Sequence, residues 1–415
     1  MERDNTAAAQ PRGALSHLKI LDLTRVLAGP WATQTLADMG ADVIKVEKES
    51  GDTFRHFGPT FKMPAEEDQN PTFDLLNGGK RSIVINMKSE AGMETFFHLL
   101  ETADVFVTNI REGALKRLGC DYDSLKDRFP RLVVARITAY GDKGPRAAEP
   151  GYDAAAFWAA SGFLMDQRLM VPGTPNYPVS SPQGMGDVFT GSLLASGILS
   201  ALLACAKTGK GDYITSSIYG AAIWGLGVMI LSDEEHHQYT WPKGRYDPGT
   251  TPYRCKDDRW IAYVIPQHER YFPGVIKAFG ADEFLGDPRF IKVWDANKHK
   301  EIYVKRFEEL AAQMTADELT ARLREQDVPN TILNTYHGIN KDEQAIVNGF
   351  IQEHTFPNGE TCMMTLPSVR SRNAGEPRTT VGPLLAVDTK DVLHEIGYSD
   401  EKISELIESS VIKVR

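Results

Sequence analysis

The sequence predicts an α/β fold: a parallel sheet with helices on its faces, joined to a second, smaller α+β domain. Three observations carry this. Short apolar runs alternate with helical stretches from Leu18 to Ile137, and strands separated by helices pair in parallel because each must be reached by a crossover. The residues just after those runs are largely polar or cationic, and open sheets bind ligands beyond the carboxyl ends of their strands. Near Asp233 the composition changes to a polar stretch rich in Glu, His, Gly and Pro, which separates the first block from a second.

In chain order, residues 19–23 form a first strand, 32–39 a helix stopped by Gly40, and 42–47 a second strand. A strand at 82–87 precedes an amphipathic helix at 89–103, with Ser89 as its cap. A strand at 104–109, a helix at 112–118 stopped by Gly119, and a strand at 132–137 complete this block. The apolar run 188–207 reads as a buried helix closed by Thr208-Gly209, and a strand at 212–218 leads into an apolar helix to about Leu231. In the second block, 253–264 reads as two strands about an Asp257-Asp258 turn. Helices follow at 269–279 and 300–313, and a third at 315–325 opens with the capping pattern Thr315-Ala-Asp-Glu318. From Thr331 the chain reads as a return segment ending in helices at 388–395 and 399–408. The expected organisation is a flexible tail over 1–17, a large α/β domain over 18–232, a linker and small domain over 233–330, and a return over 331–415 that completes the large domain.

The stretch that organises the first block is Gly184-Met-Gly186-Asp187-Val-Phe-Thr-Gly191. Asp187 falls where the N-cap of the long helix is expected, and capping alone accounts for an Asp there. Gly184 and Gly186 add a second reading, since a ligand can approach the backbone closely. A carboxylate at the positive end of a helix is also expected to stay ionised, as a nucleophile must.

Composition narrows the partners. A net charge of −10 over 415 residues, with 42% hydrophobic and 25% charged side chains, argues against broad nucleic-acid or membrane-surface binding. Cys120, Cys205, Cys255 and Cys362 make no CxxC pair, so neither zinc nor a disulfide framework is indicated, and reduced cytoplasmic thiols are expected. His236-His237 beside Glu234-Glu235 are consecutive and share no face, so no metal is expected there. The first residues lack an apolar core and do not read as a signal peptide. The apolar windows near 187–205 and 218–231 are interrupted by Gly, Ser and Thr and read as core helices. No GxGxxG follows the first strand and no P-loop occurs, so dinucleotide and ATP readings lack their fingerprint. What remains is a set of strand ends, residues 24–30, Glu47-Lys48, Lys88, Asn109-Ile110-Arg111 and 138–140, most of them carrying a cation. Singly each Lys or Arg is a solvated charge; together on one sheet edge they suit an anionic ligand.

These residues fall into a known order. The chain resembles the family III coenzyme A transferases, the group that includes formyl-CoA and carnitine CoA-transferases and is related to the α-methylacyl-CoA racemases. The resemblance runs from about Leu18 to Ile412. It rests on Leu-Asp-Leu-Thr-Arg-Val-Leu-Ala-Gly-Pro (21–30), Gly-Ala-Asp-Val-Ile-Lys-Val-Glu (40–47), Gly-Lys-Arg-Ser-Ile (79–83) and Ala-Asp-Val-Phe-Val-Thr-Asn (103–109). Pro-Gly-Tyr-Asp (150–153), Gly-Asp (186–187), Asp-Pro-Arg-Phe (287–290) and Asp-Val-Leu-His-Glu-Ile-Gly-Tyr-Ser (391–399) extend it.

The resemblance implies a Rossmann-like large domain, a smaller α+β domain, and an interlocked homodimer with the site between the large domain of one chain and the small domain of the other. It implies that Asp187 is the nucleophile of CoA transfer between an acyl-CoA and a carboxylic acid, with coenzyme A as substrate moiety and no tightly bound cofactor or metal. CoA is expected on Val26, Ala28, Lys48, Lys88, Asn109, Arg111 and Arg117, with Ile110 where relatives often carry an aromatic that stacks on adenine. Oxyanion donors are expected near Gly186-Asp187 or Gly249-Thr250, the latter in a segment, 247–252, that matches the family's glycine-rich loop but holds one glycine. Leu27 stands where formyl-transferring members carry Gln, so a larger, more apolar acid is expected, with Trp31 and Trp158 in segments that approach the thioester. Tyr152 stands where the racemases carry a His before Asp153. An unperturbed Tyr, with a pKa near ~10, is a poor base at neutral pH, so transfer is favoured over racemisation. Whether Tyr152 and Asp153 serve packing or chemistry stays open, as does a catalytically silent acyl-CoA-binding subunit.

Overall fold

The computed structural model describes residues 13–166, 168–169, 177–178, 181–232, 251–372 and 379–415. The expected linker at 233–250, with His236, His237, Gly249 and Thr250, lies outside them. The chain divides into two compact units, one of residues 1–227 and 343–415, the other of Val228–Asp342.

The first unit is built on a sheet of strands β1 (Lys19–Leu23), β2 (Asp42–Glu47), β3 (Arg81–Ile85), β4 (Val105–Thr108), β5 (Val133–Thr138), β6 (Tyr213–Ser217) and β7 (Ile412–Lys413). Their spatial order is β7-β3-β2-β1-β4-β5-β6. All neighbours run parallel except β7, which is antiparallel to β3. The strand order reverses between β1 and β4, and such a switch point opens a crevice at the carboxyl edge.

Alternate residues of each strand enter different cores. Leu21, Ile44, Ile83 and Phe106 pack on one face, with Phe96, Leu99, Val392, Leu393, Ile403 and Leu406. Helices Thr389–Glu395 and Asp400–Glu408 thus bring the C-terminal segment back to this domain. On the other face Ile20, Val43, Val105, Val133 and Ala135 meet helix α1 (Ala28–Asp38) and the long helix α2 (Met185–Thr208) through Ala32, Leu36, Leu194, Ala195 and Ile198. Among the described residues α2 is the one helix long and apolar enough to cross a membrane by length and composition. Its Gly186–Cys205 face is buried in this core.

Several boundaries move from their expected places. Helix α1 starts at Ala28, not at residue 32, because Pro30 falls in its first turn, where no intrahelical N–H is needed. Helix α2 starts at Met185, so its N-cap is Gly184 with φ 80°, and Asp187 lies inside the first turn. The apolar helix after β6 splits into Ile218–Gly225 and Gly227–Ser232. Residues 13–17, expected as tail, are in place: the Leu15 N–H donates to the Met39 carbonyl at 3.1 Å.

In the second unit, Asn330–Ile332 pairs with Trp260–Tyr263, which pairs with Tyr253–Arg254. This third strand is why the unit runs past the expected boundary at 330 to Asp342. Asp258, at φ 63°, turns the hairpin. Tyr253, Phe272, Phe279, Tyr303 and Phe307 form the centre of its core, and Thr315 and Glu318 close the expected capping box.

Candidate active site

The start of α2 is shaped by a side chain from elsewhere. Asp153 is buried, and its carboxylate accepts the Gly184 N–H at 3.1 Å, the Asp187 N–H at 3.1 Å and the Trp158 Nε1–H at 2.9 Å. The orphan donors of the first turn are therefore capped from outside the helix. Gly186 makes this possible. A Cβ there would lie 2.4 Å from Asp153 Oδ1 and 2.3 Å from Phe157 Cγ. The Gly-Asp pair is a packing requirement as well as a motif.

Asp187, 8% exposed, sits beside this cap. Among the described residues nothing donates a hydrogen bond to its carboxylate. Burial first, and the Asp153 charge second, push its carboxyl up to about 7. This corrects the expectation that the helix end keeps it firmly ionised. A helix terminus is worth about 0.3–1 kcal/mol near a surface, while each pKa unit corresponds to about 1.4 kcal/mol. Desolvation wins, and the donors at the helix end are turned to Asp153 instead. The Asp187 N–H is consequently occupied, which removes it from the expected oxyanion donors and leaves the Gly186 N–H of that pair.

The loop after β1 forms the adjoining wall. A Cβ on Gly184 would meet Leu27 Cδ1 at 2.8 Å, so Leu27 packs against the turn that starts α2. Ala28 is buried, and its carbonyl would lie 2.5 Å from a Cβ on Gly191. Trp31 is half-buried between α1 and α2, with its Nε1–H on Ser192 Oγ at 3.1 Å. Trp158 is buried and pinned to Asp153. Tyr152 is 69% exposed. Phe157 lies against Gly186 and edge-on to Phe189 at 6.1 Å, giving the turn an aromatic side that the sequence reading did not single out.

Along the carboxyl edge, Lys48 follows β2, Lys88 lies beyond β3, and Arg111 is the N-cap position of helix Glu112–Leu118, which carries Arg117. All four cations are exposed and have no ion pair among the described residues. Ile110 packs on the core beneath. Asn109 spans the switch point: its Nδ2–H donates to the Arg25 carbonyl at 2.7 Å, and its Oδ1 accepts the Arg25 N–H at 3.2 Å. Val26 takes φ 72°, a rare conformation for a β-branched residue. Among the described residues a separate open groove of about 470 Å³ runs past Leu193, Ser217, Gly220 and Trp224; Asp187 does not line it.

A layer of charge under the loop was not foreseen. Lys45 and Asp52 pair at 3.0 Å and Lys80 and Asp22 at 3.1 Å, all four buried. The signal was present: Asp22 and Lys45 interrupt apolar strands, where a charge needs a buried partner.

The doubly wound sheet and the buried carboxyl beside its edge define an α/β enzyme class that works from residues after the strands. The chain belongs to CoA-transferase family III, whose profile matches residues 15–389, and it is a CoA-transferase. It is 37% identical to the (R)-2-hydroxy-4-methylpentanoate CoA-transferase of Clostridioides difficile, over 96% of this chain and 99% of that one. It is 35% identical to the cinnamoyl-CoA:phenyllactate CoA-transferase of Clostridium sporogenes, over 96% and 97%. A solved CAIB/BAIF family protein from Brucella suis matches with TM-score 0.78 and 29% identity, over 93% of this chain and 100% of that one.

Proposed function

We propose that this CoA-transferase works by covalent catalysis on Asp187 and prefers branched or aromatic acids. The carboxylate attacks the acyl-CoA thioester, giving an acyl-aspartyl anhydride and CoA thiolate. The thiolate attacks the aspartyl carbonyl, forming an aspartyl-CoA thioester and releasing the first acid. An incoming carboxylate attacks that thioester, and the returning thiolate takes its acyl group to give the new acyl-CoA and free Asp187. Each step exchanges one acyl bond for another, which splits a difficult transfer into easier ones.

The observation that carries this reading is the Asp187 carboxyl itself: buried, unbonded among the described residues, and titrating near 7. A desolvated carboxylate is a stronger nucleophile than a hydrated one, and a carboxyl titrating near 7 supplies the ionised form around neutral pH. The Gly186 N–H is the donor of that pair left to meet an oxyanion. Lys48, Lys88, Arg111 and Arg117 supply unpaired charge for the CoA phosphates, and Val26 and Ala28 supply backbone to its thiol arm. Leu27, packed on Gly184, makes the acyl side apolar. The acids named for the two relatives, a branched hydroxy acid and phenyllactate, are of the size such a wall accepts. Racemisation on this scaffold needs an acid/base pair, and an exposed Tyr152 is a poor member of one.

The enzyme acts as a cytoplasmic homodimer on acyl-CoA and free acids, without nucleic-acid or membrane partners and with no tightly bound cofactor. The test is to incubate it with an acyl-CoA and hydroxylamine. Trapped hydroxamate at Asp187, found by mass spectrometry and lost together with transfer in Asp187→Ala, is the expected result. Turnover close to wild type in that variant rules the mechanism out.

A further inference from the structure

The loop from Thr24 to Ala28 is held in an unfavourable shape by charges buried beneath it. Val26 sits at φ 72°, a conformation unfavourable for a non-glycine residue that persists only where its surroundings impose it. The group that imposes it is Asp52. Its Oδ1 and Oδ2 accept the Val26 N–H at 3.1 and 3.2 Å. Asp52 is itself fixed: Oδ1 accepts the Phe54 N–H at 3.0 Å, and Oδ2 meets Lys45 Nζ at 3.0 Å. Lys45 also donates to the Thr24 carbonyl at 3.0 Å, so one ammonium ties the clamp to the start of the loop. Its side chain and that of Asp52 are 0% and 1% exposed. From the other side, Asp22 accepts the Thr24 N–H at 2.9 Å, and Asn109 brackets Arg25. The residue after Val26 is Leu27, which packs on Gly184 three residues before Asp187.

A buried ion pair is weak evidence for stability, because desolvating both charges offsets their attraction. Here the pair is spent on holding a strained backbone at the edge of the reaction centre, a use that strain at functional sites commonly has.

We propose that Asp52, backed by Lys45, is a positioning residue for CoA transfer: it holds Val26 in the left-handed conformation that sets the Val26–Ala28 backbone and the Leu27 side chain against the Asp187 turn. The inference rests on the reading that this loop borders the bound acyl-CoA. Release of the clamp lets Val26 relax to an extended conformation and carries Leu27 off Gly184.

The test compares Asp52→Asn, which keeps an acceptor but unpairs Lys45, with Lys45→Met/Asp52→Asn, which removes both charges and so avoids an orphaned buried cation. In whichever variant retains wild-type circular dichroism, KM for acyl-CoA should rise roughly tenfold or more, since small misplacements at a site cost up to about 10²-fold. The fall in kcat should be smaller. Adding Val26→Gly, which takes positive φ without penalty, should recover several-fold of the lost kcat/KM. A merely structural role lowers the active fraction and kcat at constant KM and is not relieved by glycine; that pattern overturns the proposal. Asp187→Ala is run alongside. If it loses transfer while the clamp variants keep wild-type KM, only the clamp is wrong; if it retains transfer, the site reading fails as well.

Discussion

Asp187 shows how far a residue's neighbours can override its local position. At the start of a helix the carboxylate is expected to be acidic, yet burial and Asp153 raise its pKa to about 7. Because the folded-state value is raised, the contribution to stability is complete below about pH 4 and is lost as pH rises through 7. Asp187→Asn should therefore unfold at higher denaturant than wild type at pH 8, by on the order of a few kcal/mol, with the difference closing toward pH 4. Equal midpoints at pH 8 would contradict a desolvated carboxyl. In the wild type, kcat/KM should rise between pH 5 and 8 with its limb near 7, since only the ionised form attacks. Leu27 carries the second prediction at this scale. Each methylene added to the transferred acid should improve kcat/KM by roughly 0.8 kcal/mol until the pocket is full, and Leu27→Gln should flatten the series; a wild-type preference for formyl-CoA would rule that out. The Gly186-Asp187 pair was legible because its spacing is local. Asp153 as its cap was not, because nothing in the spacing of positions 153 and 187 says that the chain folds them together.

At the scale of elements, the strands were the most legible part. Lys19–Leu23 and Asp42–Glu47 fall on their expected bounds, because runs buried on both faces leave no register in doubt. Helix starts were harder. Gly29 and Pro30 lie before the helix expected at 32–39 but fall in the first turn of α1 in the structure, and α2 starts at Met185 because its capping carboxylate comes from Asp153 rather than from Asp187. The hairpin of Ile351–Thr355 and Thr361–Thr365 was missed. Its first strand buries only Ile351 and His354, a spacing of three that hides the usual alternation. Its anchor is also remote, with His354 Nε2 3.3 Å from Asp74 Oδ2. The start of α2 gives the element-scale prediction. Gly186→Ala places a methyl against Asp153 Oδ1 and Phe157, so the cap must move. We expect transfer to fall by roughly 10²-fold with a lower Tm, read by steady-state kinetics and calorimetry. A fully active Gly186→Ala would show that the cap does not set the site.

At the scale of the molecule, the α2 surface opposite the core is unusual. Met185 and Leu203 on α2, and Ile223 and Trp224 on the next helix, are exposed, Trp224 at 71%. Exposed apolar side chains on one face suit association, and a second copy of the chain is the occupant that the proposed homodimer supplies. The interlocked homodimer that the resemblance implies carries a prediction: sedimentation should show a dimer that does not dissociate on dilution, since linked chains cannot part without unfolding. A stable, active monomer would contradict this. The doubly wound class was readable from alternation alone. The two-part make-up of the first unit was expected from the reading of 331–415 as a return segment, but its start at Glu343 was not legible, since no periodicity marks where the chain rejoins 1–227.

That rejoining sets an order of events during translation. The outer edge of β3 is covered by Ile412–Lys413, and one face of the sheet by helices that begin at Thr389. At roughly 5–20 residues per second, the ribosome needs on the order of tens of seconds between exporting β3 and exporting its cover. Through that interval the β3 edge and the part of the sheet face that Val392, Leu393, Ile403 and Leu406 cover stand open, and an unpaired strand edge is a feature that nucleates misassociation. The Val228–Asp342 unit, contiguous in sequence, can close on itself meanwhile. The topology thus lets the middle of the chain close before the unit that contains its beginning.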